Sequence, residues 1–184
     1  MANKIKYGLR GVHYAKVTSV TTQGELVYAT PKAIPGAVNL TLASEGERNV
    51  FHADDVEYFA SESNNGYSGS LEMALLTDEF RTEILGEAVN TAGVYVEKAD
   101  AQPSEFALLF EFQGDEKATR IALFRVIAGR PNGDASTKAE SIEPQTETLN
   151  ITVLPRLNDY AVRARCPQTA TTAYNAWYNA VVTV

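Results

Sequence analysis

Two histidines, one cysteine and 23 carboxylates are the side chains of this 184-residue chain on which metal or acid–base chemistry would first be sought. His52-Ala53-Asp54-Asp55 puts an imidazole and two carboxylates within four residues. A zinc centre needs three or four convergent ligands, and His13 and Cys166 lie far away in sequence. The segment reads more simply as a solvated acidic turn. A Ser-His-Asp or Cys-His hydrolase would need His13 or His52 as its base, yet no Gly-x-Ser-x-Gly elbow occurs. Gly8-Leu9-Arg10-Gly11 lacks the spacing of a phosphate loop. Paired carboxylates of the glycosidase type have acids enough to draw on, but a sugar site needs several aromatics near its acids, and a chain this short has little room for a cleft. Cys166 continues an alternation through Tyr160, Val162 and Ala164, so it reads as a small buried residue. The expectation is a protein without catalytic site, metal or cofactor.

The elements that would position any site are strands. Tyr67, Leu71, Met73 and Leu75 alternate with Ser68, Ser70 and Glu72, the period of a half-buried strand. At Thr77 the period changes. Thr77 caps a short helix of about Asp78 to Leu85, Asp78 and Glu79 occupy its first turn, and Gly86 closes it. Phe80 and Ile84 share a face that must dock on a sheet, because so short a helix is unstable alone. Residues 105–113 and 118–128 form a hairpin that is apolar on both faces. Such a pair is central, or is covered on its far side by another sheet or subunit. Further strands are expected at Leu26–Tyr28, 38–42, 94–97, 149–153 and 160–166. Eight or nine short strands with one flanking helix predict a mainly β fold, a β-sandwich or partial barrel. The whole chain, 1–184, reads as one domain with an N-terminal arm (1–15) and two long loops (43–65 and 129–147).

Apolar residues make up 45% of the chain, enough for a core. No signal peptide and no run of membrane-spanning length is seen. The net charge is −7, and it is segregated. Residues 1–23 carry Lys4, Lys6, Arg10 and Lys16 and no acid; residues 160–184 carry Arg163 and Arg165 and no acid. All the acids lie between. Basic ends around an acidic middle suit contacts between copies, while the acidic excess argues against a protein that grips nucleic acid.

The order Gly8-Leu-Arg-Gly-Val-His-Tyr-Ala15, Val27-Tyr28, Ile34-Pro-Gly-Ala-Val38, His52-Ala-Asp-Asp55, Gly66-Tyr-Ser-Gly-Ser-Leu-Glu72, Leu85-Gly86, Gly93-Val94, Phe106-Ala-Leu-Leu-Phe-Glu111, Gln145-Thr-Glu-Thr-Leu149, Pro155-Arg156 and Trp177 resembles the major tail proteins of long-tailed phages, of the phi-thirteen type. The resemblance runs through nearly the whole chain. Trp177-Tyr178 stands where family members often carry Trp-Phe. It implies a tail tube protein: a β-sandwich or partial barrel forming hexameric rings that stack into a tube around a DNA channel. It implies a virion tail component assembled in the host bacterial cytoplasm. Its partners would be itself, tape-measure protein, and tail terminator and tip proteins. Contact with double-stranded DNA would be transient, with no membrane, catalysis or cofactor.

On that reading the arm and the acidic loop bridge successive rings through Tyr7, Arg10, Tyr14, Phe51, Asp54, Asp55, Tyr58, Phe59 and Trp177. The apolar hairpin lines the channel, with Glu72, Glu111, Asp115 and Glu116 as an acidic wall that repels phosphate. A lumen face should be polar, so that assignment conflicts with the hairpin's own composition. The alternative is a monomeric carbohydrate-binding or glycoside-hydrolysing β-sandwich with Tyr58, Phe59, Trp177 and Tyr178 as sugar platforms.

Overall fold

The computed structural model describes residues 3–133, 137 and 144–182. In chain order the strands are β1 (Lys6–Val20), β2 (Leu26–Tyr28), β3 (Lys32–Ala33), β4 (Ala37–Glu45), β5 (Arg48–Ala53), β6 (Val56–Glu62) and β7 (Gly66–Met73). A short helix, α1 (Asp78–Phe80), then runs directly into a π-helical turn, Arg81–Leu85. After it come β8 (Ala88–Val89), β9 (Tyr95–Val96), β10 (Phe106–Gly114), β11 (Thr119–Ala128), β12 (Asn132–Gly133), β13 (Glu147–Leu154) and β14 (Arg163–Cys166). A second helix, α2 (Thr171–Ala176), lies near the end.

Among the described residues one ten-stranded sheet dominates, in the order β2-β1-β10-β11-β13-β7-β4, with β3 on β1, β12 on β13 and β14 on β11. The pairings described are all antiparallel. Two features curl it. β11 shares one edge between β14, at Arg120–Leu123, and β13, at Arg125–Ala128, so the sheet forks there. β3 runs through Ile34-Pro35-Gly36 into β4, with Ile34 N–H donating to Val12 O at 2.8 Å and Ala74 N–H to Gly36 O at 2.7 Å. That link carries the last strand, β4, back beside β1 and makes a partial barrel. The mainly β architecture with a flanking helix agrees with the sequence reading.

The helix is where its signals put it. Thr77 Oγ1 accepts from Phe80 N–H at 3.3 Å, and Gly86, with φ +79°, donates to Arg81 O. The hydrogen bonding of its second half is π rather than α, which propensity does not foretell. Phe80, Ile84 and Leu85 plug the inside of the sheet. Phe80 stands edge-on to both Tyr14 and Phe106, at 5.1 and 5.6 Å between ring centroids. Leu71, Met73, Phe110, Leu123, Leu149, Ile151 and Val153 complete this interior cluster.

Three expectations need correction. Residues 6–15 are not an arm laid over the domain or reaching a neighbour: they belong to β1, which pairs with β10 from Lys6 to Lys16. Two glycines at positive φ, Gly8 (+60°) and Gly11 (+64°), sit at its register shifts, so a stretch that looked irregular is a bulged strand. The segment 43–65 is mostly strand, the end of β4 followed by β5 and β6. The strand expected at 160–166 begins only at Arg163, because Tyr160 takes φ +58° in a tight turn. Of the loop 129–147, residues 134–136 and 138–143 lie outside the described residues.

Candidate functional site

β5 and β6 pair only with each other. They continue the β4–β7 ladder past Glu45 and Gly66, through Asn65 N–H to Glu45 O and Ser63 N–H to Glu47 O. At about 3.4 Å per residue the ribbon reaches roughly 25 Å beyond Glu45. Its tip is the two-residue connection Asp54-Asp55, with φ +53° and +58°. Type I′ hairpin turns need positive φ at both central residues, and aspartate tolerates it. The acidic pair is therefore turn chemistry first. Among the described residues no group of three or more His, Cys, Asp or Glu could hold a metal.

Every residue of β6 is exposed. Phe51 faces Phe59 across the ladder, and the two are 60% and 61% exposed; Tyr58, extra at a bulge, is 72% exposed. Arg48 pairs with Glu57, while Asp54, Asp55, Glu47 and Glu62 form no ion pair among the described residues. A lone two-stranded ribbon with bare aromatics is marginal in water.

A second surface is the outward face of β4, β7 and β13. Register places Asn39, Glu72 and Thr148 in one row, Thr41, Ser70 and Asn150 in the next, and Ala43, Ser68 and Thr152 in a third. The face is short-chained and polar, and its charges are the carboxylates Glu72 and Glu45. No lysine or arginine occurs on these three strands. Glu72 accepts from Thr146 Oγ1 at 2.7 Å, and Glu45 accepts from Ser68 Oγ at the upper end.

The third region covers the other half of the same sheet. There Ala107, Leu109, Ala122 and Phe124 point outward and are wholly buried, beneath Cys166, Trp177 and Val181. The chain itself thus covers the far side of the β10–β11 hairpin. Arg10 Nε donates to Glu111 Oε1 at 2.6 Å, and Arg120 Nε to Oε2 at 3.0 Å. Arg120 lies over Tyr174, 3.9 Å from the ring centroid, and over Tyr178 at 4.8 Å. Tyr178 stacks on His13 at 4.1 Å. Gly11 is needed here, since a Cβ would stand 2.9 Å from the Tyr178 hydroxyl. Burial pushes the Tyr178 phenol above its ordinary pKa, and burial does the same to the Cys166 thiol.

The sequence candidates are therefore dispersed. Phe51, Asp54, Asp55, Tyr58 and Phe59 gather on the projecting ribbon. Tyr7 is half exposed on β1, and Arg10 reaches Glu111. Tyr14, only 1% exposed, donates its hydroxyl to Glu83 at 2.9 Å and faces the core. Burial, then the Glu83 bond, raises its pKa. Trp177, at 4% exposed, anchors the outer cover. Neither presents a contact surface in this chain. The four acids do not share a wall. Glu72 is on the polar face; Glu111 is buried between two arginines; Asp115 accepts from Lys4 N–H at 2.9 Å and Glu116 donates its N–H to Asn3 at 3.2 Å, both at the β10–β11 turn. The lumen assignment to the β10–β11 hairpin is overturned, because both its faces are buried within one chain. Sequence reasoning missed this shared polar face, although Ser68, Ser70, Thr148, Asn150 and Thr152 were legible as the polar halves of alternating strands.

No family model matches the chain, and no curated protein matches it. Among solved structures, a chain of the anti-feeding prophage baseplate, from a cryo-EM structure with six-fold symmetry imposed, is similar over 90% of this chain and 97% of that one, at 11% identity and a TM-score of 0.48.

Proposed function

We propose that this chain is a structural, non-enzymatic virion protein of a phage tail, which self-associates into rings, hexameric by the resemblance, that stack as a tail tube. The observation that carries the reading is the β5–β6 ribbon. It exposes Phe51, Tyr58 and Phe59 on a support that none of the described residues of its own body covers, and an ordered partner surface on a neighbouring copy explains it. In such a tube the ribbon bridges copies, and the cation-free polar face of β4, β7 and β13 turns to the channel. Short hydroxyl and amide side chains without lysine or arginine offer duplex DNA no phosphate grip, so it slides. Tape-measure, terminator and tip proteins are then the further partners, and assembly takes place in the host cytoplasm.

Negative-stain microscopy of the purified chain at rising concentration tests this. Rings or tubes are expected; solitary particles at every concentration would refute it. The sugar-binding alternative loses half its platform, because Trp177 and Tyr178 are packed inside.

A further inference from the structure

The outer face of the β10–β11 hairpin is too apolar to face water. Ala107, Leu109, Ala122 and Phe124 are buried there with Ala15 of β1, and the interior cluster lies on the opposite side of the sheet. Their cover is the stretch 170–182, which drives in Trp177 and Val181. This cover is built unlike the rest of the fold. α2 has six residues, no side-chain cap at Ala170 and no buried residue of its own. Its polar attachment is Arg120, which donates from Nη1 to Tyr174 O and lies over the rings of Tyr174 and Tyr178.

Two buried side-chain polar atoms lack a hydrogen-bond partner among the described residues, Trp177 Nε1 and Tyr178 Oη. They are neighbours in sequence and both belong to this stretch. Neither atom finds a partner among the described residues, so the stretch docks by shape and through Arg120 more than by polar pairing of its own rings. A segment with good shape, poor polar pairing and a weak helix is a candidate for opening ahead of the sheet.

We propose that residues 170–182 form a clasp that opens as a unit while the sheet stays folded, and that the face it uncovers accepts the same segment of a second copy. The occupant follows from fit. This segment is the one seen to match that face, and the same contacts made between copies need no new surface. The exchange rests on the self-association reading; the opening does not.

Trp177 is the chain's one tryptophan, so its emission reports the clasp, whereas far-ultraviolet circular dichroism reports the strands. In a urea titration of the full chain the Trp177 transition comes first. Tyr178→Phe removes the unpartnered hydroxyl and keeps the ring against Arg120 and His13. It lowers the clasp's opening constant on the order of tenfold and moves the emission midpoint up, leaving the dichroism midpoint in place. For exchange, full-length Trp177→Phe is mixed with a synthetic peptide of residues 168–184. The peptide's tryptophan anisotropy should rise to saturation. Coincident transitions in the wild type overturn the proposal, and so does a flat anisotropy. Rings in the microscope with coincident transitions would sink the clasp alone; saturable peptide uptake without rings would uphold the clasp and leave the tube reading refuted.

Discussion

Arg120 and Glu111 are register partners across the β10–β11 ladder, joined Nε to Oε2 at 3.0 Å, and Glu111 gives its other oxygen to Arg10 of β1. One nearly buried carboxylate thus ties three strands, and Arg120 passes the tie on to the C-terminal tyrosines. Removing the carboxylate leaves Arg120 with no countercharge in a poorly hydrated place. Glu111→Ala is expected to cost about 3 kcal/mol, read from the urea midpoint. A loss under about 1 kcal/mol would show that the tie is ornamental.

Phe80 is the side chain through which the helix holds the sheet. It is fully buried and meets two aromatic rings edge-on. Phe80→Ala should destabilise by about 3–5 kcal/mol and release the turn Arg81–Leu85. Thermal unfolding followed by circular dichroism measures it, and the π-turn amides should lose their protection from hydrogen exchange at the same time.

The ribbon aromatics should separate folding from assembly. Phe51→Ser with Phe59→Ser touches no core residue, so the monomer's stability should change by no more than about 0.5 kcal/mol. Tubes should disappear from negative-stain fields at concentrations where the wild type forms them. Tubes of ordinary length from this variant would remove the ribbon from the assembly.

The channel assignment is tested on the polar face of β4, β7 and β13. Ser70→Lys with Glu72→Lys puts two cations in adjacent rows of β7, which repeats around every ring would multiply. DNA ejection from single virions should slow markedly, more so at low salt, since each lysine adds phosphate contacts. Unchanged ejection at low salt would turn this face away from the DNA.

Acid should weaken the fold through two carboxylates. Burial pushes Glu83 up, but the bonds from Lys32 and Tyr14 outweigh it and hold it below 4.5. The Arg156 bond holds Asp159 below 3.8. A folded-state pKa below the unfolded one contributes stability above the unfolded value, and that contribution is lost as pH falls through the folded one. The loss therefore runs below about pH 4. Glu83→Gln with Asp159→Asn should be less stable at pH 7 yet flatter in its stability between pH 4 and pH 2, by urea titration at each pH; an unaltered slope would exclude both groups. Lys32 acts in the other direction. Glu83 raises its pKa above 10.5, so its contribution is present at neutral pH and fades only in strong alkali.

Residue order alone is enough for the strands with a two-residue period and for the short helix. Leu71 and Met73 against Ser70 and Glu72, or Leu149, Ile151 and Val153 against Asn150 and Thr152, carry their burial in their order. Thr77 and Gly86 mark the helix ends through local hydrogen bonding that needs no distant partner. Which face meets which depends on long-range packing that no local pattern encodes. Residues 6–15 read as an arm because Gly8 and Gly11 interrupt the alternation, and only pairing with β10 turns those interruptions into bulges. Both faces of Phe106–Glu111 were legible as apolar, but that the chain's own last residues cover one of them depends on β14 and Trp177 returning across the fork at β11. A period-two pattern tells that a side chain leaves water, and says nothing about which side of the sheet receives it. Glu111 read from sequence as an acid of the channel wall; two arginines from different strands make it a buried node.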